Sequence, residues 1–243
     1  GILPALAARK LLDVYAGVND PYRFGEIDNV TMLTTDMEDK KEIHKMFKKQ
    51  KFDRIILVVP GNRPDWAENA LEAADYTKSV KFVTVITITT SPLTDTFFGV
   101  NYNDVEKVAK HYFPFGYCVV RLPLLMDAMV PLCKKSIMEE GVVRDPRNPD
   151  KPFRCIALSD VAKAVVEIII RPGNHEEKIY NLVGPSITIN QQAAALSKAL
   201  KKKITFETEH YEQYRENLEA QGVPEWQLVG TFEIYRLIDT DHP

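Results

Sequence analysis

Hydrophobic and polar positions along the N-terminal part of the chain form a repeating pattern, in which short apolar runs are each followed by an amphipathic segment. The successive pairs are VTMLTTD with DKKEIHKMFKKQ, DRIILVVP with DWAENALEAADYTK, VKFVTVITIT with NYNDVEKVAKHY, and YCVVRLP with MDAMVPLCKKSIMEEG. Runs this uniformly apolar are typical of strands buried on both faces, as in a parallel sheet between two layers of helices. The pattern therefore predicts an α/β fold with a doubly wound parallel sheet.

The chain opens with GILPALAARKLLDVYAGVND, which predicts a helix that leads into a strand. Apolar residues at helical spacing and then at alternating positions indicate the two elements, namely Ile2, Leu3, Leu6 and Leu11, followed by Val14, Ala16 and Val18. A helix followed by a strand is the second half of a repeating unit, so we expect a further strand and a glycine-rich turn before it. Gly1 stands where the last glycine of such a turn would lie, next to the helix N-terminus.

The pattern changes after the segment GVVRDPRNPDKPFR, which is rich in proline and charge and predicts an exposed loop. Next comes the helix SDVAKAVVEIIIRP, with Ser159 as its expected N-cap and Pro172 as its stop. The strands KIYNLVG and KITFETE then alternate with helices up to PEWQLVGTFEIYRLI. We expect residues 1–145 to form the main sheet and residues 146–243 a smaller α/β part, interleaved with the first and packed over the carboxyl ends of its strands.

Composition and charge narrow the classes of partner. The formal charge of −3, from 31 basic and 34 acidic residues, gives no electrostatic reason to expect nucleic acid or an anionic membrane. No apolar run approaches the ~20 residues of a membrane span. Cys118, Cys133 and Cys155 are flanked by apolar residues, which fits reduced thiols and a cytoplasmic location. The histidines show no metal-ligand spacing, so no metal site is expected.

Segments in a specific order and spacing carry a family resemblance: YAGVNDP, TTDMED, RIILVVPG, VKFVTVIT, VVRLPLLMDAM, IALSDVAKAV, KIYNLVGP and EWQLVGTFEIYRLI. In these the chain resembles the NmrA-like branch of the atypical short-chain dehydrogenases, over almost its whole length. The resemblance implies a Rossmann-like domain that binds NAD(P), placed in residues 1–145. It does not single out one activity, because the family includes both reductases and a regulator.

The resemblance also implies positions for the ligands. Asn19 would lie near the adenosine ribose, with Asp36 and Met37 beside the adenine. Residues that would follow the dinucleotide across the sheet or approach the nicotinamide are Val58, Val59, Pro60, Thr87, Pro123 and Leu124. Substrate contacts are expected at Phe98, Tyr102 and Met126.

Most of these positions also have a purely structural interpretation. Asp36 could cap the next helix, and Pro123 could start one. Val58 and Val59 are expected in the core in either case, with only their backbone free to touch a ligand. Thr87 suits a buried strand, and Met126, with Met129, suits core packing.

Departures from the family pattern bear on chemistry. Asn19 stands where relatives often have Arg, so the choice between NAD and NADP stays open. Separately, Ala128 stands where relatives often have Asn. The Tyr and Lys that reduce ketones in short-chain dehydrogenases are replaced by Phe98 and Tyr102. Lys107 lies five residues after Tyr102 and would point away from it. Tyr102 is therefore the one candidate acid.

The sequence leads to three alternative hypotheses about function. The first is a reductase that transfers hydride from NAD(P)H to a small planar acceptor such as a quinone. The second is a non-catalytic NAD(P)-binding sensor that signals to a protein partner. The third is a degenerate binding protein that has lost the dinucleotide. Cofactor titration and NAD(P)H oxidation assays separate them.

Overall fold

The computed structural model describes residues 1–10, 12–20 and 25–240, and for residues 129–132 the backbone alone. The helices are α1 (Ile2–Ala7), α2 (Lys40–Gln50), α3 (Pro64–Thr77), α4 (Phe97–Tyr112), α5 (Met126–Glu139), α6 (Leu158–Ile170), α7 (Ile189–Leu200), α8 (Tyr211–Ala220) and α9 (Glu225–Asp239). The strands are β1 (Val14–Val18), β2 (Val30–Thr34), β3 (Arg54–Leu57), β4 (Phe82–Ile88), β5 (Tyr117–Leu122), β6 (Leu124–Leu125), β7 (Val142–Asp145), β8 (Phe153–Ile156), β9 (Lys178–Asn181), β10 (Ser186–Ile187) and β11 (Thr205–Thr208). Leu11, which the sequence assigned to the first helix, lies outside the described residues.

The main strands are parallel, as the apolar runs predict. β3, β4, β5 and β9 pair side by side in that order, and β1 pairs with β2 in register from Val14↔Val30 to Val18↔Thr34. Helices cover both faces of the strands, with α2, α3 and α4 on one side and α1 and α6 on the other. The prediction of a doubly wound α/β sheet is thus confirmed.

Alternating residues of β4 explain why its sequence is mostly apolar. Val83 and Val85 pack into the core formed with α2, α3 and α4, whereas Phe82 and Ile86 pack into the core formed with α1 and α6. Each of these side chains is at most 7% exposed. A strand buried on both faces tolerates few polar side chains, and this places the polar chemistry at the ends of the strands.

The first half of the segment predicted as an exposed loop, residues 141–147, is instead mostly buried and partly a strand. Val142 and Val143 lie in β7, which pairs in parallel with β11. Further along, the Arg147 guanidinium donates to both carboxylate oxygens of Asp145, at 2.8 and 2.6 Å. It also lies between the rings of Phe153 and Tyr235, at 4.4 and 4.3 Å from their centroids. Because the two charges satisfy each other, this charged segment can enter the core.

The C-terminal residues do not stay apart from the main sheet. β9 joins it beside β5, with Cys118↔Lys178 in register, and α6 packs against α1. β10, β8 and β6 form a second, small sheet, and β11 and β7 form a third. The division at residue 145 stays a prediction.

The start of α6 corrects a capping prediction. The helix begins at Leu158, before Ser159, and no side chain within its own first turn caps it. The carboxylate of Asp127 in α5 accepts the hydrogen bond from the Leu158 N–H instead, at 2.7 Å. At the other end, the helix stops at Ile170, two residues before Pro172, as predicted. In the described part of the chain, no helix combines the length and the apolar character that a bilayer crossing needs.

Candidate functional site

A cleft of about 480 Å³ opens beyond the carboxyl ends of β4 and β5. Its lining comes from the loop after β4, from β5, β6 and β8, from the segment between β9 and β10, and from α9: Thr89, Thr90, Pro92, Arg121, Pro123, Leu124, Pro152, Phe153, Arg154, Asn181, Val183, Ser186, Ile234, Leu237 and Ile238. A mostly apolar cleft of this size with a few polar groups is typical of a small-molecule site. In open α/β sheets, ligands bind at this edge.

A buried carboxylate organises one wall of the cleft. Glu106 of α4 is only 2% exposed and receives both ends of the Arg121 fork, with Nε to Oε1 at 2.8 Å and Nη2 to Oε2 at 2.7 Å. The hydroxyls of Thr87 and Ser91 donate to the same Oε1 atom. The network therefore joins β4, α4 and β5 and fixes Arg121 at the edge of the cleft.

Opposing effects set the pKa of Glu106. Burial raises the pKa of this carboxyl, but the hydrogen bonds from Arg121 and Ser91 outweigh burial, and the net pKa lies below the ordinary value of 4.5. Glu106 is thus ionised at neutral pH, and its charge balances that of Arg121. The pair is close to neutral as seen from the cleft.

Arg154 of β8 places a second guanidinium at the cleft, and its surroundings differ from those of Arg121. The side chain is exposed, and within the described residues it forms no ion pair or hydrogen bond. Ser186 of β10 is its directly paired neighbour in the antiparallel register, and Asn181 ends β9 nearby. Among the described residues that line the cleft there is no Asp or Glu.

Helix α9 forms the apolar roof of the cleft through Ile234, Leu237 and Ile238. It is fastened to α4 at the other side, where the Phe98 ring lies between Gly61, after β3, and Gly230 of α9. A Cβ atom added to either glycine would approach the ring to 2.6 and 2.2 Å. Glycine is required at both positions because the ring occupies the space of a side chain.

A second, open surface lies at the ends of β1, β2 and β3. Asn19 and Asp36 are exposed and follow the paired strand ends Val18↔Thr34, Asn19 directly and Asp36 two residues after Thr34. Asp36 Oδ1 accepts a hydrogen bond from the Glu38 N–H at 2.8 Å, and within the described residues its second oxygen has no partner, so it is available to accept from a ligand. The alternative in which Asp36 caps α2 is wrong, because Asp39 is the N-cap and accepts from Lys41 and Glu42.

The loop that carries Asp36 and Met37 is held in place from α3. The side-chain amide of Asn69 donates to the carbonyl of Met37 at 2.9 Å. Arg63 pairs with Glu38 and with Asp65, and its guanidinium lies over the Trp66 ring at 4.6 Å. These contacts give a loop at the edge of the sheet a defined conformation, which suits a recognition surface.

Val58 corrects an expectation. Val59 is buried at 4%, as predicted, but the Val58 side chain is 63% exposed and does not belong to the core. The reason is that β3 ends at Leu57, so Val58 lies beyond the carboxyl end of the strand. Its side chain, and not only its backbone, is available to a ligand.

The remaining cofactor positions fall in different environments. Pro123 and Leu124 line the cleft. The helix-start interpretation of Pro123 is wrong, because β6 follows it and α5 begins only at Met126. Thr87 is buried and its hydroxyl is bound to Glu106, so it lies behind the cleft wall. Gly1 is exposed and is the N-cap of α1, and Pro60 lies at the start of the turn that leads to α3.

The three predicted substrate residues do not line the cleft. Phe98 and Tyr102 form an aromatic cluster with Trp226, with ring centroids 6.0 and 6.1 Å from that of Phe98. Met126 packs against the core around Cys155. Lys107 is exposed and pairs with Asp104 at 2.9 Å, so it does point away from Tyr102. Substrate contact by Phe98, Tyr102 and Met126 stays a prediction. The same holds for the contacts with the nicotinamide that are expected near Thr87, Pro123 and Leu124. The Met129 side chain lies outside the described residues.

Sequence reasoning missed the polar residues of the cleft. Arg121 interrupts the apolar run YCVVRLP, and Glu106 lies among apolar residues on the buried side of α4. A lone charge in each of two buried elements is a signal for a pair, although only the fold shows that the two meet. Arg154 gave no signal, because it lies in the segment predicted to be a loop. Within the described residues no group of His, Cys, Asp or Glu could hold a metal ion.

Comparisons with known proteins agree on the fold. An NADPH-dependent quinone oxidoreductase of Escherichia coli, complexed with NADPH, is 19% identical, with a TM-score of 0.80 over 99% of this chain and 85% of that chain. A Citrobacter sp. triphenylmethane reductase complexed with NADP(H) is 18% identical, with a TM-score of 0.79 over 100% and 88%. NmrA, a negative transcriptional regulator in complex with NADP, is 18% identical, with a TM-score of 0.67 over 90% and 75%.

Comparison of sequences, in contrast to comparison of folds, identifies the family. Among curated proteins none matches the chain. The sequence model of the NmrA-like family matches residues 101–240, which is more than half of the chain and includes Arg121, Arg154 and the helix α9. The chain therefore belongs to the NmrA-like family.

Proposed function

We propose that this protein binds NAD(P)H along the carboxyl edge of its sheet and reduces a small planar acceptor, such as a quinone, in the cleft below α9. One observation carries the proposal: a mostly apolar cleft of about 480 Å³ and an exposed surface around Asn19 and Asp36 both lie at the carboxyl ends of parallel strands. The structural relatives described in complex with NADPH or NADP(H) support the choice of cofactor.

The residues at the open surface fit an extended dinucleotide. Asn19 would contact the ribose, and the free oxygen of Asp36 would accept a hydrogen bond from the adenine amino group. Val58, exposed at the sheet edge, would cover the middle of the molecule on its way to the cleft. When bound, the nicotinamide would supply the hydride.

The cleft residues suit an acceptor that needs no strong acid. Hydride transfer to a quinone places negative charge on its oxygen, and the Arg121 Nη1 group, which the two bonds to Glu106 do not use, would donate a hydrogen bond to that oxygen. The apolar roof of Ile234, Leu237 and Ile238 would exclude water from the reacting face. Phe98 has no proton to donate, so plain ketones should be poor acceptors.

The proposal is tested with the purified chain by two measurements. NADPH and NADH are titrated by fluorescence, and their oxidation is then followed with a panel of quinones and simple ketones. Saturable binding together with quinone-dependent oxidation is the expected result. Binding of neither nucleotide would leave the third hypothesis, a protein that has lost the dinucleotide.

A second candidate function is a non-catalytic NAD(P) sensor. It is favoured by the aromatic cluster at the start of α4, where Phe98 replaces the usual acid and the Tyr102 hydroxyl forms no hydrogen bond within the described residues. Tight nucleotide binding without oxidation by any quinone would support this alternative over the reductase.

A further inference from the structure

We propose that the acceptor taken by the cleft carries a carboxylate, and that Arg154 binds this group. The inference deepens the proposed function, since it rests on that function for the identity of the cleft as the acceptor site. It concerns the chemical class of the acceptor: a planar apolar body with one anionic group.

The charge balance of the cleft is the first argument. Of the two guanidinium groups in its lining, that of Arg121 is neutralised by both oxygens of Glu106. Arg154 has no such partner within the described residues, and the lining there contains no Asp or Glu. The cleft therefore carries one positive charge that a ligand can balance.

The second argument is the arrangement of donors around Arg154. Directly opposed residues of an antiparallel pair project from the same face of the sheet, with Cβ atoms about 5 Å apart. Ser186 is directly opposite Arg154, so its hydroxyl and the guanidinium lie on one face. Asn181 adds an exposed amide to the same cleft. A planar guanidinium fork beside a hydroxyl matches the two oxygens of a carboxylate.

The third argument is the apolar remainder of the lining. Ile234, Leu237 and Phe153 form walls that cannot balance a second charged group. A ligand with charge at both ends would leave one end unpaired there, at a cost in affinity. The arrangement selects a molecule with a single anionic end.

The test uses 2-naphthoate, which is planar, carries one carboxylate and cannot accept hydride, and its neutral amide, 2-naphthamide. Binding to the full chain is measured by calorimetry for the native protein and for Arg154→Gln, Arg154→Lys and Arg236→Gln. Arg236 is the matched control, because it is an exposed arginine of α9 outside the cleft and its side chain has no partner within the described residues.

We expect 2-naphthoate to bind at least ten times more tightly than 2-naphthamide. Arg154→Gln should remove this preference, Arg154→Lys should keep part of it, and Arg236→Gln should leave it unchanged. Equal binding of the two probes, or equal losses in Arg154→Gln and Arg236→Gln, would overturn the inference. Because neither probe is reduced, failure of the reductase function would appear separately, as an absence of quinone-dependent NAD(P)H oxidation.

Discussion

Glu233 of α9 accepts a hydrogen bond from the backbone N–H of Phe97, the first residue of α4, with 2.7 Å between the nitrogen and Oε2. Thr96 caps the same helix by accepting from the Gly99 N–H at 3.0 Å. A carboxylate at a helix N-terminus is also favoured by the helix dipole. Since α4 carries Glu106 and α9 carries the roof, this bond sets the position of the roof over the cleft.

Replacing Glu233 by alanine should lower the free energy of unfolding by about 1 kcal/mol, the usual cost of losing a helix cap. Urea denaturation measures this change. Glu216→Ala, at an exposed position of α8, is the control and should alter stability by less than about 0.5 kcal/mol. Equal effects of the two substitutions would mean that the contact with Phe97 contributes nothing to stability.

Glu106→Gln should destabilise the protein by about 3 kcal/mol at neutral pH, because it leaves the Arg121 charge without its partner. The folded pKa of Glu106 lies below 4.5, so the stability due to its ionised form is present above that pH and is lost as pH falls through the folded pKa. The stability difference between the native protein and Glu106→Gln should therefore shrink in acid.

Urea denaturation at several pH values between neutral and acid checks this dependence. Glu167→Gln, which changes an exposed carboxylate paired with Arg171, should give a small difference at every pH. A large Glu106→Gln effect that stays constant into acid would contradict the ionised state assigned to this carboxyl.

Tyr102→Phe should reduce quinone turnover by less than about tenfold, well below the ~100-fold expected for loss of a general acid. Burial raises the pKa of Tyr102 above its ordinary value of 10.0, which makes the hydroxyl a poorer proton donor. Steady-state rates of both proteins, with Tyr76→Phe as an exposed control, provide the measurement. A larger loss, or faster turnover of a plain ketone than of any quinone, would identify Tyr102 as a working acid.

Asn19→Arg should shift nucleotide preference toward NADP(H) by about tenfold, because a guanidinium can bind the 2′-phosphate through two hydrogen bonds. The ratio of the NADPH and NADH dissociation constants, from fluorescence titration, gives the result. Thr31→Arg, at an exposed position toward the far end of the β1–β2 pair, serves as the control for added charge. An unchanged ratio would place the ribose away from Asn19.

The sequence predicted correctly those elements that are stabilised by the burial of apolar side chains. The runs around Val83 and Val119 are apolar on both faces, and their strands were predicted correctly. β7 was missed because its burial relies on the pair of Asp145 with Arg147, and two charges in a proline-rich segment resemble a solvated loop. Similarly, Ser159 has the right residue type for a cap, but the cap comes from Asp127, thirty-one residues before Leu158, whose N–H it accepts.

The same distinction applies to the candidate site. Resemblance placed Pro123 and Leu124 at positions that line the cleft, because their place after a strand is a local property. The roles of Arg121 and Arg154 depend on partners: one is neutralised by Glu106 and the other is unpaired within the described residues. The order of residues does not show which charged side chains pair in the fold. This pairing determines which of the two arginines keeps an unbalanced positive charge in the cleft.

The packing of α1 against α6 has a consequence for synthesis on the ribosome. Domains fold as the chain emerges, yet the apolar side of α1, with Leu6 at its centre, obtains its helical partner only after residues 158–170 have been made. The main sheet likewise has to wait for residues 178–181 of β9 before β5 is paired on both edges. The nascent protein therefore exposes the apolar side of α1 until α6 has been made, and one edge of β5 until β9 has been made, so that a chaperone would find both surfaces open during those intervals.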